Sequence, residues 1–258
     1  MEIEYLNVKN RFFFKYLKDT SVVRKLLKIV SLVKNFGGIR ALKGVNLVIN
    51  DGEFVGIIGP NGSGKTTLIN VVTGVYKPDS GKIYYNNKDI TGLPSYKICR
   101  LGISRTYQIP QPFDNMSVLE NVMVASEFCG DEDRDHVREV LDRLGLWSKA
   151  YSLAGSLSLV EKRILEIARA LATKPKLLFV DEALAGLREA EISRIISIMR
   201  ELNSEGISIV WVEHRVHELI KVARRLVVLN FGEIIADDVP EKVLSNERVI
   251  EAYLGKLT

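Results

Sequence analysis

One stretch decides the fold of this chain: Gly59-Pro60-Asn61-Gly62-Ser63-Gly64-Lys65-Thr66-Thr67. It fits the pattern Gly-x-x-x-x-Gly-Lys-Ser/Thr. The apolar run 54–58 before it has the character of a buried strand, and helical spacing continues after it to about Val72. A strand, a glycine-rich loop and a helix in this order confirm a phosphate-binding loop, so we prefer this interpretation to a chance match in a glycine-rich turn.

Each residue type in this loop has a chemical reason. Glycines allow consecutive backbone N–H groups to curl around phosphate oxygens, and the N-terminus of the following helix adds partial positive charge. Lys65 reaches the β- and γ-phosphates, and the Thr66 hydroxyl is placed to bind magnesium. We therefore predict that residues 59–67 bind ATP together with Mg²⁺.

Two acidic residues, Asp181 and Glu182, follow the apolar run 177–180. In a phosphate-loop fold this strand lies beside the strand that enters the loop, so Asp181 would hold Mg²⁺ directly or through water. Glu182 would lie near the γ-phosphate, where a carboxylate can polarise an attacking water molecule. A solvated pair of acids at a strand end is the ordinary alternative, and the phosphate loop upstream argues against it.

Three further side chains are candidates on weaker grounds. His214 follows the strand-like run 207–213 and would face the ligand crevice, where it could bind the γ-phosphate or simply begin a helix. Gln108 follows a short apolar strand and could reach both Mg²⁺ and the attacking water, although an exposed loop glutamine is more common. Phe36 could stack on adenine, although aromatic residues at strand ends more often belong to the core.

Composition and charge bound the class of protein. The 258 residues are 47% hydrophobic and 26% charged, which is typical of a soluble globular protein with a sizeable core. The net charge of +4 suits an enzyme that binds phosphates, and the main body has no cluster of basic and aromatic residues of the kind that binds nucleic acid. No apolar run reaches the roughly 18–20 residues that span a bilayer. We expect the chain to act at a membrane only through partners, from the cytoplasmic side.

Two smaller features of the sequence carry expectations of their own. Residues 1–26 mix aromatic and basic side chains, and we interpret them as a surface extension in preference to an amphipathic segment at a membrane. The two cysteines, Cys99 and Cys129, lie in no Cys-x-x-Cys motif and no Cys/His cluster. We therefore expect neither a metal site nor a disulfide, and a reducing compartment.

The order of strands and helices predicts an α/β fold. Strand–helix alternation before and after a helical stretch indicates a parallel-sheet core with a helical insert. We place the core in residues 27–92 and 173–258 and the insert at about 93–172.

The ordered set of Phe36, residues 59–67, Gln108, Asp181-Glu182 and His214 resembles the ATP-binding-cassette (ABC) ATPases over nearly the whole chain from residue 27 onward. The resemblance implies, in that order, an A-loop aromatic, a Walker A loop, a Q-loop that also binds the metal, a Walker B motif with its catalytic glutamate, and a switch histidine. It also implies a P-loop NTPase fold with a parallel-sheet core, an antiparallel β subdomain and a helical subdomain.

Further motifs are similar to those of one branch, the branched-chain amino-acid (LIV-type) importer ATPases, with the urea and lipopolysaccharide-export ATPases as near relatives. Such proteins work with transmembrane permeases, with a second ATPase subunit and, indirectly, with a solute-binding protein. The motifs are Gly37-Gly38-Ile39-Arg40-Ala41-Leu42, Leu68-Ile69-Asn70-Val71-Val72-Thr73-Gly74, Gly102-Ile103-Ser104-Arg105-Thr106-Tyr107-Gln108, Met116-Ser117-Val118-Leu119-Glu120-Asn121-Val122 and Val249-Ile250-Glu251-Ala252-Tyr253-Leu254-Gly255.

One family motif is degraded. Where the resemblance implies Leu-Ser-Gly-Gly-Gln, this chain has Leu157-Ser158-Leu159-Val160-Glu161, and Ala183 and Arg188 also depart from the family pattern. In the head-to-tail dimer of this family, that motif closes over the ATP of the other cassette. We therefore predict an asymmetric heterodimer with an intact partner.

Two other functions stay open at this point. The chain could be a soluble ABC ATPase outside transport, or a nucleotide-binding regulatory subunit with weak turnover, which the degraded motif favours and the intact Glu182 and His214 oppose. A P-loop GTPase or kinase is disfavoured because no Asn-Lys-x-Asp motif follows the phosphate loop.

Overall fold

The computed structural model describes residues 24–129 and 133–254. Most of the predicted N-terminal extension, residues 1–23, lies outside the described residues. In chain order the strands are β1 (Lys25–Phe36), β2 (Ile39–Asn50), β3 (Phe54–Ile58), β4 (Ser80–Tyr85), β5 (Lys88–Asp89), β6 (Ile103–Arg105), β7 (Leu177–Asp181), β8 (Ser208–Val212), β9 (Arg225–Asn230) and β10 (Glu233–Asp238).

Helices cover much of the remaining chain. They are α1 (Lys65–Val72), α2 (Ser95–Arg100), α3 (Val118–Phe128), α4 (Arg134–Arg143), α5 (Leu159–Leu171), α6 (Glu189–Ser204), α7 (Val216–Leu219), α8 (Pro240–Leu244) and α9 (Glu247–Leu254), with short 3₁₀ turns at Trp147–Lys149 and Ala154–Ser156. In the part of the chain that the structure describes, no helix has the length and apolar character needed to cross a membrane.

A six-stranded sheet forms the centre of the molecule, in the order β10-β9-β3-β8-β7-β6. All neighbours pair in parallel except β9 and β10, which form an antiparallel hairpin at one edge. Strands β3, β7 and β8 are buried along their whole length, as their continuous apolar sequences require in a sheet covered on both faces. The predicted parallel-sheet core is confirmed.

A second, antiparallel sheet has the order β2-β1-β4-β5. Its inner face, together with α1, covers one face of the central sheet and forms an apolar core that includes Leu32, Ile49 and Leu68. The opposite face of the central sheet packs under α3 to α6, in a second apolar core around the fully buried Trp211.

The helical region contains one strand of the core. We place the insert at residues 93–172, but β6 lies inside this range and pairs in parallel with β7. The helical part proper is therefore α3, α4 and α5. The short apolar strand that the sequence predicts before Gln108 is thus part of the core, because a local pattern does not show which sheet a three-residue strand joins.

Two details differ from expectation. The helix expected from His214 onward is shorter, because α7 spans only Val216–Leu219 and continues as hydrogen-bonded turns to Ala223.

The expectation of two unpaired cysteines is wrong, since Cys99 and Cys129 form a disulfide with a Cα–Cα distance of 6.4 Å. They are 30 positions apart, and only the packing of α2 near the end of α3 brings them together, so their spacing in the sequence gives no signal.

Candidate functional site

The phosphate loop joins the end of β3 to the start of α1, as the motif predicts. Gly64 is the N-cap of α1 with φ of 106°, a left-handed conformation that glycine adopts without strain. At Gly59 a Cβ atom would overlap the carbonyl oxygen of Leu229 in β9. Both glycines are therefore required by the path of the loop, and the free N–H groups at the start of α1 face outward as an anion site.

Lys65 has its ammonium group inside the curl of the loop. Its Nζ donates hydrogen bonds to the carbonyl oxygens of Gly59 (2.8 Å) and Pro60 (3.0 Å). Burial lowers the pKa of Lys65, while the negative charges of Glu182 and Asp181 act in the opposite direction. The lysine is thus held near two carboxylates, in a position from which its ammonium group could turn to bind a phosphate.

An open cavity of about 830 Å³ lies over the phosphate loop. Its walls bring together residues from β2, from the loop and from the ends of β7 and β8, so the separate motifs converge on one space. The lining residues are Ile39, Arg40, Ala41, Lys43, Asn61, Gly62, Ser63, Gly64, Lys65, Thr66, Thr67, Gln108, Glu182, His214 and Phe231.

Glu182 is held between two side chains, and all three line this cavity. The Gln108 amide donates a hydrogen bond from Nε2 to Glu182 Oε2 at 2.6 Å. His214 Nε2 lies 2.7 Å from Glu182 Oε1, a hydrogen bond that the ring N–H donates when the carboxylate is ionised. Glu182 also has a left-handed backbone with φ of 47°. A non-glycine residue in that conformation, tied at both oxygens, is oriented by its surroundings.

Asp181, one residue earlier, is buried, with a side-chain exposure of 1%. Its carboxylate oxygens make no hydrogen bond of normal geometry, and the closest cation is the Arg105 guanidinium, 3.8 Å from Oδ2. Burial raises the pKa of Asp181, and the charge of Arg105 and the nearby Thr66 hydroxyl lower it. A buried carboxylate with free lone pairs beside a phosphate loop fits a magnesium site, since Mg²⁺ commonly takes one or two protein oxygens and completes its shell with phosphate and water.

Arg105 is a part of this site that the sequence does not predict. Its guanidinium lies over the Tyr107 ring at 4.4 Å and donates hydrogen bonds to Asn70 Oδ1 and, at 3.3 Å, to Thr73 Oγ1. It therefore joins β6 to the end of α1 and balances the charge of Asp181. In the sequence, only its position at the end of a short strand, close to Gln108, could have indicated that it belongs to the site.

The loop that carries Gln108 is anchored by three charged residues of α5. Glu166 accepts hydrogen bonds from the backbone N–H groups of Tyr107 (3.2 Å) and Gln111 (3.1 Å). Arg163 donates to Tyr107 O (3.0 Å) and Arg169 to Gln111 O (2.8 Å). Burial raises the pKa of Glu166. The three residues recur every third position on one face of α5, a spacing that could have indicated a shared target.

Phe36 lies at the end of β1, beside the cavity. Its ring packs edge-to-face against Tyr76 with centroids 5.1 Å apart, and 40% of its surface is exposed. The wall of the cavity on this side is formed by Ile39 and Arg40. Stacking of Phe36 on adenine therefore stays a prediction.

The degraded motif begins α5. Ser158 is the N-cap, and the Glu161 carboxylate accepts hydrogen bonds from Ser158 N (3.0 Å) and Oγ (2.9 Å) in a capping box. Lys149 Nζ lies 2.6 Å from the other oxygen of Glu161 and is the main reason why the pKa of Glu161 is lowered. Leu159 is 45% exposed and approaches Gly186. The N-cap residue of this helix is thus already hydrogen-bonded to a carboxylate of the chain itself.

Comparisons with known proteins agree with this geometry. Residues 42–185 match the family described as "ABC transporter". Residues 233–256 match a second family, "Branched-chain amino acid ATP-binding cassette transporter".

Curated relatives are similar over most of the chain. A protein of Archaeoglobus fulgidus named "Probable branched-chain amino acid transport ATP-binding protein LivG" is 38% identical, with 90% of this chain and 96% of the relative covered. A protein of Escherichia coli K12, "High-affinity branched-chain amino acid transport ATP-binding protein LivG", is 36% identical, with coverage of 90% and 98%.

Solved structures give the same result. An ATP-binding cassette of an ABC transporter in its ADP conformation has a TM-score of 0.82 at 37% identity, covering 90% of this chain and 99% of that one. A nucleotide-free cassette has a TM-score of 0.81 at 35% identity, covering 90% and 100%. The fold, the convergent nucleotide cavity and these matches show that the chain is an ATPase that binds ATP with Mg²⁺ and belongs to the ABC transporter ATP-binding family, in the branch of the branched-chain amino-acid transport ATP-binding proteins.

Proposed function

We propose that this ATPase energises the import of branched-chain or related amino acids through a membrane permease. The observation that carries the catalytic part is the clamped Glu182, with Gln108 at 2.6 Å on one side and His214 at 2.7 Å on the other. The C-terminal match at residues 233–256 and the names of the similar proteins support the substrate class.

In this proposal Glu182 acts as the general base. A carboxylate oriented by two hydrogen bonds can accept a proton from a water molecule that attacks the γ-phosphate, and correct orientation is much of what such catalysis requires. His214 and Gln108 fix its two oxygens and would move with the γ-phosphate. Lys65 turns from the carbonyls of Gly59 and Pro60 toward the phosphates, and the loop N–H groups hold them.

Thr66, Asp181 and Gln108 are the residues that would hold Mg²⁺. The metal, when bound, neutralises charge that develops on the phosphate oxygens. The buried carboxylate of Asp181 is then paired with a cation, which removes the unfavourable burial of its charge.

Permease subunits would dock at a groove between α2, α3 and α5. Its exposed apolar and aromatic residues include Tyr96 (42% exposed), Phe113 (46%) and Phe128 (56%). Arg105 and Tyr107 also line it, directly beside the Gln108 loop. A permease segment seated there would sense the movement of that loop, which lies between the groove and the nucleotide cavity.

The second ATPase subunit would be a different chain with an intact signature motif. Glu161 already satisfies the Ser158 N–H and hydroxyl group, so the start of α5 offers less to the γ-phosphate of a partner's ATP. Leu159 adds bulk at the same place. An asymmetric heterodimer would confine this defect to one of its two nucleotide sites. The ATPase would lie on the inner face of the cell membrane. A solute-binding protein would take part indirectly, through the permease.

The test combines purification and transport. A tagged chain, purified from its native membranes in mild detergent, is expected to bring permease subunits and a second ATPase with it. In vesicles loaded with ATP, leucine uptake should be lost for Lys65→Ala and kept for Lys88→Ala, a matched lysine on the exposed strand β5. Leucine uptake that survives Lys65→Ala, or a chain that purifies without membrane subunits, would overturn the proposal.

A further inference from the structure

The disulfide joins two different parts of the molecule. Cys99 lies in α2, which packs beside the core strand β6, and Cys129 is the C-cap of α3 in the helical part. Arg100 Nε also donates a long hydrogen bond to Phe128 O (3.5 Å) across the same junction. The covalent bond therefore fixes the distance between α2 and the end of α3.

Its position is on the rim of the groove between α2, α3 and α5. Cys99 lines this groove together with Tyr96 and Phe128. Both cysteines are partly exposed residues, so we expect a small thiol to reach the bond while the protein stays folded.

A path of contacts runs from this bond to the catalytic carboxylate. Asn121 in α3 accepts a hydrogen bond from Phe113 N (2.8 Å) and donates one to Phe113 O (3.1 Å). Phe113 belongs to the loop that contains Gln108, whose amide binds Glu182. A restraint on α3 is thereby a restraint on the loop that orients Glu182.

We propose that Cys99 and Cys129 form a redox-modification site, a thiol–disulfide switch that sets how freely α3 and the 106–117 loop move against the core. In the oxidised form the disulfide holds the end of α3 against α2 at the rim of the groove. In the reduced form α3 is retained only by non-covalent packing, and local opening becomes easier.

The reaction partner is a dithiol reductant. One of its thiolates attacks a sulfur of the Cys99–Cys129 bond, and the other cysteine leaves as a thiolate that takes a proton from solvent. The second thiol of the reductant then resolves the mixed disulfide. Two electrons and two protons pass to the protein, which gains two thiols, and the reductant becomes a disulfide.

The experiment uses the full chain, oxidised with glutathione disulfide, with dithiothreitol as the reductant. Both samples are alkylated under native conditions and then after denaturation, and intact mass counts the alkyl groups. We expect none in the oxidised protein, even after denaturation, and two after native reduction. Two alkyl groups in the oxidised sample, or a bond that dithiothreitol reduces only after denaturation, would overturn the switch.

Hydrogen exchange then measures the restraint. Reduction should speed amide exchange in α3 and the 106–117 loop about fivefold or more, with no change in α6, which does not line the groove. The double variant Cys99→Ser/Cys129→Ser should show the exchange rates of the reduced protein, and dithiothreitol should not change them. Unchanged exchange in α3 on reduction would refute the proposal, whatever the transported substrate proves to be.

Discussion

The phosphate loop at the start of α1 and the degraded motif at the start of α5 differ in how they are capped. At the phosphate loop, the N–H groups at the start of α1 face an open cavity, and Gly64 caps the helix without a side-chain bond. At the start of α5, Ser158 and Glu161 form a closed capping box, and Lys149 neutralises the carboxylate. One helix start is open to an external anion, and the other has an internal one.

The comparison teaches that anion binding at a helix start is a competition. At α5 the capping carboxylate accepts hydrogen bonds from the N–H and hydroxyl groups of Ser158, and the stabilisation that it gives to the helix is lost if an external anion displaces it. Under the proposed asymmetric dimer, the chain would hold ATP at the phosphate loop and would offer a weakened surface at the start of α5 to a partner's ATP.

The largest expected effect is the loss of ATP hydrolysis at the nucleotide cavity over the phosphate loop. Glu182→Gln removes the general base but keeps a side chain that can bond Gln108 and His214, so hydrolysis should fall about 10²- to 10⁴-fold. ATP binding should persist or tighten, because a negative charge beside the γ-phosphate is removed. Hydrolysis by the assembled transporter and nucleotide binding by titration calorimetry measure the two effects. Glu189→Gln, an exposed glutamate at the start of α6, is the control, and an equal loss in both variants would refute the role of Glu182.

The next effect concerns the disulfide that joins α2 to the end of α3. The disulfide closes a loop with a sequence separation of 30 residues, and its reduction should lower the free energy of unfolding by roughly 3–4 kcal/mol. Urea unfolding with and without dithiothreitol measures the difference. Cys99→Ser/Cys129→Ser should match the reduced protein and not respond to the reductant. A wild-type midpoint that does not move on reduction would contradict a stabilising bond.

A smaller effect should come from restoring the family motif at the start of α5. The triple variant Leu159→Gly/Val160→Gly/Glu161→Gln restores the family motif at the start of α5. We expect hydrolysis by the purified single chain, slow in the wild type, to rise about tenfold and to become cooperative in ATP, a change of about 1.4 kcal/mol. Steady-state rates against ATP concentration measure it. Fast, cooperative turnover by the unmodified chain would contradict the asymmetric dimer.

The smallest effect concerns the capping carboxylate itself. Lys149→Met removes the cation that lowers the pKa of Glu161, and stability should drop by less than about 1 kcal/mol, since the pair is partly exposed. A lowered pKa means that the contribution is fully present above the usual 4.5 of Glu161 and is lost as pH falls through the lowered value. Thermal unfolding from neutral to acidic pH measures it. Lys162→Met, which loses a comparable pair with Asp114, is the control, and the same pH response in both variants would refute the assignment.

Much of the site could be predicted because its motifs are local. Lys65 and Thr66 take their positions from a contiguous loop, and Asp181 and Glu182 take theirs from the end of one apolar strand. A strand order that brings β3, β7 and β8 side by side then gathers these ends in one cavity. The assignments of Gln108 and His214 rested on spacing and resemblance, and the structure places both beside Glu182.

The contacts that the sequence did not predict are all long-range. Arg105 reaches Asp181, Glu166 holds Tyr107 and Gln111, and Lys149 pairs with Glu161. Each contact depends on the packing of elements that are separate in the chain, and no local propensity encodes a partner at that distance.

By itself, then, the sequence determined the nucleotide loop, the class of fold and the family, because a phosphate loop, a buried strand and a helix start are each specified within a few consecutive residues. Only the tertiary structure decided that Glu182 is clamped from two sides, that Lys149 pairs with Glu161, and that Cys99 is bonded to Cys129. The physical reason is that orientation, charge balance and covalent pairing depend on distances between segments, and those distances are set by how the two apolar cores pack.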